Sequence, residues 1–389
     1  MSTAVSGWKR VDRLGALLTA VGAVAFAWLP LVVVKANRIV PGDPRQLVEV
    51  LPPTLSLGAA GILVLVAVAA LGVRNPRVRL CAALIGVVAL ALAVAVAGDI
   101  LTPTGNKVVR VAPGTGFWLL LVSIGLLGVD AITRLKPGPG LRVLFLVAVA
   151  IVASLAFAHG TFDNLSVMRE YSVNATRFAR EARQHVLLAL GTLGAAVIVA
   201  LPLGILCHRV PRIRAATLGT LNLIQTIPSI ALFGILMVPL AALATAVPLA
   251  AEFGIRGIGA APAAVALFLY SLLPVVANTV VGLGRVSPAA VEAAHGMGMT
   301  RWQVLTGVEL LLALPVIVTG IRIVLVQNIG MVTIAALIGG GGLGAFVFQG
   351  IGQTAIDLVL LGAIPIVALA FSAAVLLDAL VEVMDRARQ

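Results

Sequence analysis

Residues 287–305 read SPAAVEAAHGMGMTRWQVL, a small-residue, glycine-punctuated stretch of mixed charge inside a chain that is otherwise almost continuous hydrocarbon. Ser287-Pro288 spells a helix start, a hydroxyl residue at the N-cap followed by proline at the first helical position. The AAVEAA that follows is a good helix former. Gly296 and Gly298 then end the helix, because glycine tolerates the left-handed conformation of a C-terminal cap. Thr300 and Gln303, three residues apart, form a capping box that opens a second helix. The stretch predicts helix, glycine hinge, helix, with alanines that let another backbone approach closely. A plain connector needs none of this; a segment gripped by another protein does.

The flanks give the setting. Of 389 residues, 61% are hydrophobic and 11% charged, and the mean hydropathy is +1.13. A soluble domain carries about 25% charged residues, so lipid is the solvent for most of this chain. Apolar runs at 14–35, 52–73, 80–98, 116–133, 142–158, 186–207, 216–240, 260–282, 312–335 and 357–380 each approach the roughly 20 residues that span a bilayer as a helix. Barrel strands are shorter and alternate. The expected fold is all-α: a polytopic membrane protein of about ten transmembrane helices.

A net charge of +12 invites a nucleic-acid partner, but the basic residues cluster at span ends, where they set orientation. Lys9, Arg10, Arg13, Arg74, Arg77, Arg79, Arg134, Lys136, Arg142, Arg209, Arg212, Arg214, Arg285, Arg301, Arg386 and Arg388 fall on one side. They outnumber Lys35, Arg38, Arg45, Lys107, Arg110, Arg169, Arg177, Arg180, Arg183 and Arg256 on the other. Both termini are therefore expected in the cytoplasm, with no nucleic-acid partner. The first span follows a basic segment as a signal peptide would, yet at about 22 residues it is expected to be a retained helix. Cys81 and Cys207 offer neither a disulfide framework nor metal spacing. His159, His185, His208 and His295 are scattered, and none reads as a ligand or base. No metal site is expected.

Three regions follow. Residues 1–158 hold five spans with short loops and little polar content; Asp130 and Arg134, spaced i, i+4, are expected to pair. Residues 159–184 carry Met168, Tyr171, Ala175, Phe178 and Ala182 at helical spacing, with arginines opposite, and predict an amphipathic linker helix lying in the outer interface. In 185–389 the polar and irregular residues accumulate within spans: Asn222, Gln225, Thr226 and Pro228; Tyr270, Pro274 and Asn278; Arg322, Gln327 and Asn328; then Gly339–Gly342. Such residues face a partner or a cavity. Interhelical hydrogen bonding is the simpler reading for any one of them; their concentration in one half favours a pathway there. Gln225, Pro228, Tyr270, Asn278, Arg322, Gln327, Asn328 and Gly341 are the candidates for path or gate. Arg322 must pair, snorkel or face water, and the glycine run is expected to make a tight re-entrant turn at the outer mouth.

Glu292-Ala293-Ala294, Gly298 six residues after the Glu, Thr300, Leu310 and Leu314-Pro315 together resemble the EAA loop of ABC importer permeases. IQTIPSIALF, LFLYSLLPVVANT and GGGGLGAFVFQGI, in that order around it, resemble the permeases for glycine betaine, choline and related osmoprotectants, over about residues 185–385. The five N-terminal spans resemble those of longer members of that group. Leu311 departs from the pattern, standing where the family commonly has proline, so a straighter helix is expected there.

The resemblance implies that 285–311 is a coupling loop docking into cytoplasmic ATPase subunits. It also implies an external or periplasmic solute-binding protein, a second permease copy (the same chain or a paralogue), and a small-molecule substrate such as glycine betaine. The setting would be the bacterial cytoplasmic (inner) membrane. This chain has no GxxxxGK[ST], HExxH or GxSxG, so it is expected to be a transport subunit without cofactor, with ATP and Mg on the partner. An amino acid or another small solute is the alternative cargo. An ion-coupled carrier would place a carboxylate at the midplane, whereas Asp357 and Asp378 lie near span ends and the central charge is Arg322. No catalytic pair suggests an intramembrane enzyme.

Overall fold

The computed structural model describes residues 12–37, 40–103, 105–106, 108–252 and 254–386. Lys9, Arg10, Arg38, Lys107 and Arg388 of the orientation argument lie outside the described residues. The chain forms two compact units: Met1–Pro137 with Val149–Ser172, and Gly138–Ala148 with Val173–Gln389.

The first unit is built on α1 (Arg13–Trp28), the short α2 (Leu47–Val50), α3 (Pro53–Gly72), α4 (Pro76–Leu101) and α5 (Thr115–Leu135). Helix α1 stops well before the expected residue 35. Pro30 has no N–H to continue the ladder, and the β-branched Val32–Val34 extend instead. They form β1 (Val32–Lys35), which pairs antiparallel with β2 (Asp43–Arg45) and β3 (Arg110–Pro113) in the order β2-β1-β3. This small sheet is absent from the sequence-based expectation. Sixteen residues of helix reach about 24 Å, short of a hydrocarbon core of about 30 Å. Among the described residues, nine helices are long and apolar enough to cross a membrane, where ten were expected.

Helix α6 (Pro139–Ala158) and α7 (Ser166–Arg209) follow. The expected linker helix at 159–184 is the first part of α7, continuous with the expected span 186–207 for 44 residues. Neither Gly nor Pro occurs between Gly160 and the span to stop it. The C-terminal end of its apolar stripe packs against protein, Phe178 and Ala182 joining a core cluster with Phe346 and Leu343, while Tyr171 is exposed. The expected span 216–240 is two helices, α8 (Pro211–Thr226) and α9 (Ser229–Ala246), broken at Ile227-Pro228. After the short α10 (Pro248–Glu252) come α11 (Ala260–Gly284), α12 (Pro288–Gly296), α13 (Arg301–Val304), a π-helical turn (Leu305–Glu309) and α14 (Leu310–Ala335). The second unit ends with α15 (Gly344–Gly352) and α16 (Ile356–Arg386). Small residues let α11 reach its neighbours. A Cβ at Gly204 of α7 would lie 2.6 Å from Thr279 Cβ, and one at Gly320 of α14 would lie 2.8 Å from Asn278 Cβ.

The first unit is held at one end by a buried arginine. Arg79 of α4 is 2% exposed and reaches three other helices. It donates to Ala70 O at 2.5 Å and Val73 O at 2.9 Å, satisfying carbonyls at the end of α3. It also pairs with Asp12, the N-cap of α1, at 2.5 Å and with Asp130 of α5 at 2.9 Å. Arg134 completes the group, 2.9 Å from Asp130 as its spacing predicts and 3.2 Å from Asp12. Burial opposes ionisation of Asp12, but the hydrogen bond and charge of Arg79 outweigh it and hold the carboxyl below its usual range. A depressed carboxylate contributes stability that is complete at neutral pH and is lost only as pH falls through the acidic carboxylate range. Arg79→Met leaves two carbonyls without their donor and two carboxylates to the half-exposed Arg134 alone, and removing one partner of a buried pair costs about 3–5 kcal/mol. The expected result is a fall of several degrees or more in the melting temperature of the purified protein in detergent at pH 7. The loss should shrink near pH 3, where the carboxylates are neutral.

Candidate functional site

The stretch 287–305 folds as its residues dictate. Ser287 stands at the N-cap of α12 with Pro288 at the first position, though its hydroxyl makes no cap bond. Gly298 adopts φ +81°, the left-handed geometry that favours glycine. Thr300 and Gln303 close a capping box at the start of α13. Glu292, Ala293 and Thr300 are exposed, while Ala294 is buried beneath them. Met297 and Trp302 are 76% and 71% exposed, although apolar and outside the apolar body of any span. From Arg301 the chain is helical without interruption to Ile338. The straighter helix expected from Leu311 is preceded by a π turn, with Leu310 just after it and Pro315 inside α14.

All the candidate path residues but Arg322 divide among three places. The first surrounds the break between α8 and α9. Pro274 lacks an N–H, which releases the carbonyl of Tyr270 four residues earlier. Gln225 of α8 donates to that carbonyl at 2.8 Å, and the Tyr270 hydroxyl donates to Ile227 O at the break, beside Pro228. Asn278 donates to Pro274 O at 2.8 Å. The second place lies between α7, α11 and α14. Asn328, 1% exposed, donates to Thr192 Oγ1 at 3.1 Å, and its amide shares Ser271 Oγ at 3.1–3.2 Å. Gln327, on another face of the same helix, reaches only Met331 Sδ at 3.5 Å among the described residues.

The third place is the glycine run. After a 3-10 turn at Ala336–Ile338, Gly339, Gly341 and Gly342 take φ of +78°, +72° and +84°. The chain reverses into α15, which folds back along α16. Helix α7 clasps this turn: Glu181 accepts the Gly342 N–H at 2.9 Å, and Gln184 donates to Gly340 O at 3.2 Å. His185, fully buried, lies with Nε2 3.0 Å from Ile329 O. Arg177 donates to Gln349 Oε1 at 2.6 Å and sits over the Phe346 ring at 4.8 Å. A Cβ at Gly341 would come 3.2 Å from Glu181 Oε2, so the run needs glycine for space as well as for φ.

Arg322 is apart from all three. It pairs with Asp378 of α16, which also accepts from Arg142 at 2.7 Å; Arg142 reaches Glu382, and Glu382 accepts from Arg386 at 2.6 Å. Sequence reading missed Thr192, Ser271, Glu181, Gln184 and the pair of Arg209 with Glu309. The one available signal was Glu309, a carboxylate in the apolar run LTGVELLLALP. Among the described residues no group of His, Cys, Asp and Glu is arranged to hold a metal.

A multi-pass helical bundle with a capped helix–glycine–helix between two of its spans, and no nucleotide-binding motif, has the make-up of a membrane permease subunit. Residues 200–389 match the family model of the binding-protein-dependent transport system inner membrane component, and residues 12–168 match that of the N-terminal domain of the ABC transporter permease YehY. The chain belongs to the permease subunits of ABC importers, multi-pass inner-membrane proteins that are transport components and not enzymes. It is 45% identical over 197 residues to the osmoprotectant import permease protein OsmW of Salmonella typhimurium, covering 51% of this chain and 86% of that one. It is 36% identical over 205 residues to the carnitine transport permease protein OpuCB of Listeria monocytogenes (53% and 87%). It is 34% identical over 220 residues to the glycine betaine/carnitine/choline transport system permease protein OpuCB of Bacillus subtilis (57% and 92%).

Glu181→Ala removes the acceptor of a buried N–H, an effect of about 1–3 kcal/mol on the local opening of the glycine turn. Hydrogen exchange at the Gly342 amide is expected to quicken roughly tenfold, since about 1.4 kcal/mol is a factor of ten. Exchange across α3 and α4 should be unchanged.

Proposed function

We propose that this permease carries a quaternary-ammonium osmoprotectant such as glycine betaine, delivered by an external solute-binding protein, and that residues 285–311 receive the force of cytoplasmic ATPase subunits. The observation that carries the coupling reading is the pair Met297 and Trp302, large apolar side chains held exposed on a rigid, capped helix–glycine–helix. Exposed anchors of this kind mark a protein contact, and the alanines between them allow a close approach. Glu292, Ala293, Ala294, Gly298 and Thr300 form that contact; Leu310 and Pro315 join it to the bundle. The named substrates of the relatives, all of them osmoprotectants or quaternary amines, support the cargo. With 5% aromatic residues, this chain leaves the aromatic cage for such a cation to the binding protein.

In this reading two copies, or this chain and a paralogue, assemble with two ATPase subunits that hold ATP and Mg. Both termini lie in the cytoplasm and the glycine turn at the outer mouth. The path is lined by Gln225, Pro228, Asn278, Gln327 and Gly341. Tyr270, Asn328 and Arg322 set the helices that flank it.

A Cβ at Gly298 meets nothing in the chain, so a substitution there reports on the backbone and on whatever docks. Gly298→Asp adds a charge and about 1–2 kcal/mol of left-handed strain. In proteoliposomes carrying the full transporter, uptake of radiolabelled glycine betaine is expected to fall at least tenfold, with less ATPase co-purifying and normal membrane insertion. Equal recruitment and equal uptake would sink the coupling reading. Uptake by the parent protein of an amino acid, and none of glycine betaine, would sink the cargo.

A further inference from the structure

Helix α7 ends at Arg209, and Val210-Pro211 turns the chain into α8. At that corner Arg209 pairs with Glu309, the last residue of the π turn. Glu309 is 5% exposed, while the Arg209 side chain remains half-exposed at 47%. The cation suits the C-terminal end of α7, where the helix dipole is negative. Around the pair, Leu305, Ala313 and Ile317 pack with Leu201 and Ile205 of α7 and Leu283 of α11. A Cβ at Gly282 of α11 would lie 3.0 Å from Ala313 O. The joint is both charged and closely packed.

Its place along the chain gives it a role. Trp302 and Glu309 lie on one uninterrupted rod, seven residues or about 10 Å apart at 1.5 Å per residue. The only irregular part between them is the π turn, whose wide ring is found mostly as single-turn insertions at functional sites. Its extra residue keeps Val304, Leu305 and Glu309 on the inner face while Arg301, Trp302 and Gln303 face outward. A push on Met297 and Trp302 is therefore carried along the helix through Leu305–Glu309. It then meets Glu309, which is buried and held by Arg209 and would be left without that partner if the two parted. The load passes to the end of α7 and the start of α8, the helix whose Gln225 holds the Tyr270 carbonyl.

We infer that the Arg209–Glu309 pair is the joint through which movement of the coupling stretch enters the membrane bundle. Arg209 and Glu309 are positioning residues for transport, with no contact to substrate or nucleotide. The inference rests on the coupling reading above.

The test uses the full transporter with its ATPase and binding protein in proteoliposomes. It compares Arg209→Gln, Arg209→Lys, Glu309→Gln and the apolar double variant Arg209→Met/Glu309→Leu. The readouts are co-purifying ATPase, binding-protein-stimulated ATP hydrolysis, and solute taken up per ATP hydrolysed. Both Gln variants are expected to keep the complex and its hydrolysis while uptake per ATP falls at least tenfold. Arg209→Lys should recover part of the loss. The apolar double variant should be as stable as the parent yet remain uncoupled. Parental uptake per ATP in the apolar double variant would reduce the pair to packing and overturn the inference, as would loss of the complex in Arg209→Lys. A Met297→Cys chain carrying each variant separates the two readings. Cross-linking to the ATPase with normal coupling in Arg209→Gln sinks the joint alone. No cross-link in the otherwise unaltered chain sinks the coupling reading itself.

Discussion

A broken helix in lipid releases backbone N–H and C=O groups into a solvent that cannot bond them, and this chain breaks its helices repeatedly. Each such group costs several kcal/mol if left alone. The structure meets the cost with particular side chains. Gln225 takes the carbonyl that Pro274 frees, and Arg79 takes two at the end of α3. Glu181 and Gln184 take an N–H and a C=O of the glycine turn. The polar residues that stand out in the apolar sequence are, first of all, the partners of its irregular backbone. Where a polar residue sits in a span, a nearby proline or glycine explains it as often as a substrate would.

This accounts for what was legible in the sequence. The caps and hinge of 287–305 were readable because their chemistry is local: Thr300 and Gln303 bond within one turn, and Gly298 needs only its own φ. The apolar runs were readable because length and hydropathy set them. What was not readable depended on residues far apart in the chain. Phe178 and Ala182 belong to the same stripe whether they meet lipid or Phe346, and only the fold selects the protein. Arg79 looked like one more basic residue of a loop until Asp12 and Asp130 arrived beside it. The end of α1 was a local signal passed over, since Pro30 followed by three valines favours a strand.

The two charged groups show why span-end arginines are more than orientation signals. Arg79 and Arg134 close against Asp12 and Asp130 in the first unit. Arg142, Arg322 and Arg386 close against Asp378 and Glu382 in the second. In each group carboxylates bridge arginines from different helices, and the shared geometry fixes helix ends that apolar packing alone would let slide. Half-exposed pairs such as Arg386–Glu382 add little individually. Arg79, the one buried member of the two groups, sets the register of the first.

Asn328 marks the limit of the polar-residue signal. Its amide nitrogen donates to Thr192 and Ser271, so at 1% exposure neither N–H is left over for a passing solute. An interior amide whose donors are both engaged ties α7, α11 and α14 together. Gln327, one residue earlier, lies about 100° round the helix, half-buried, with a thioether, a weak acceptor, as its only hydrogen-bond partner among the described residues. The sequence gives the two neighbours equal standing; hydrogen-bond capacity separates them. A group that must bind and release a solute needs unfilled capacity on an accessible face, so the residue that looks less well housed is the better candidate for the path.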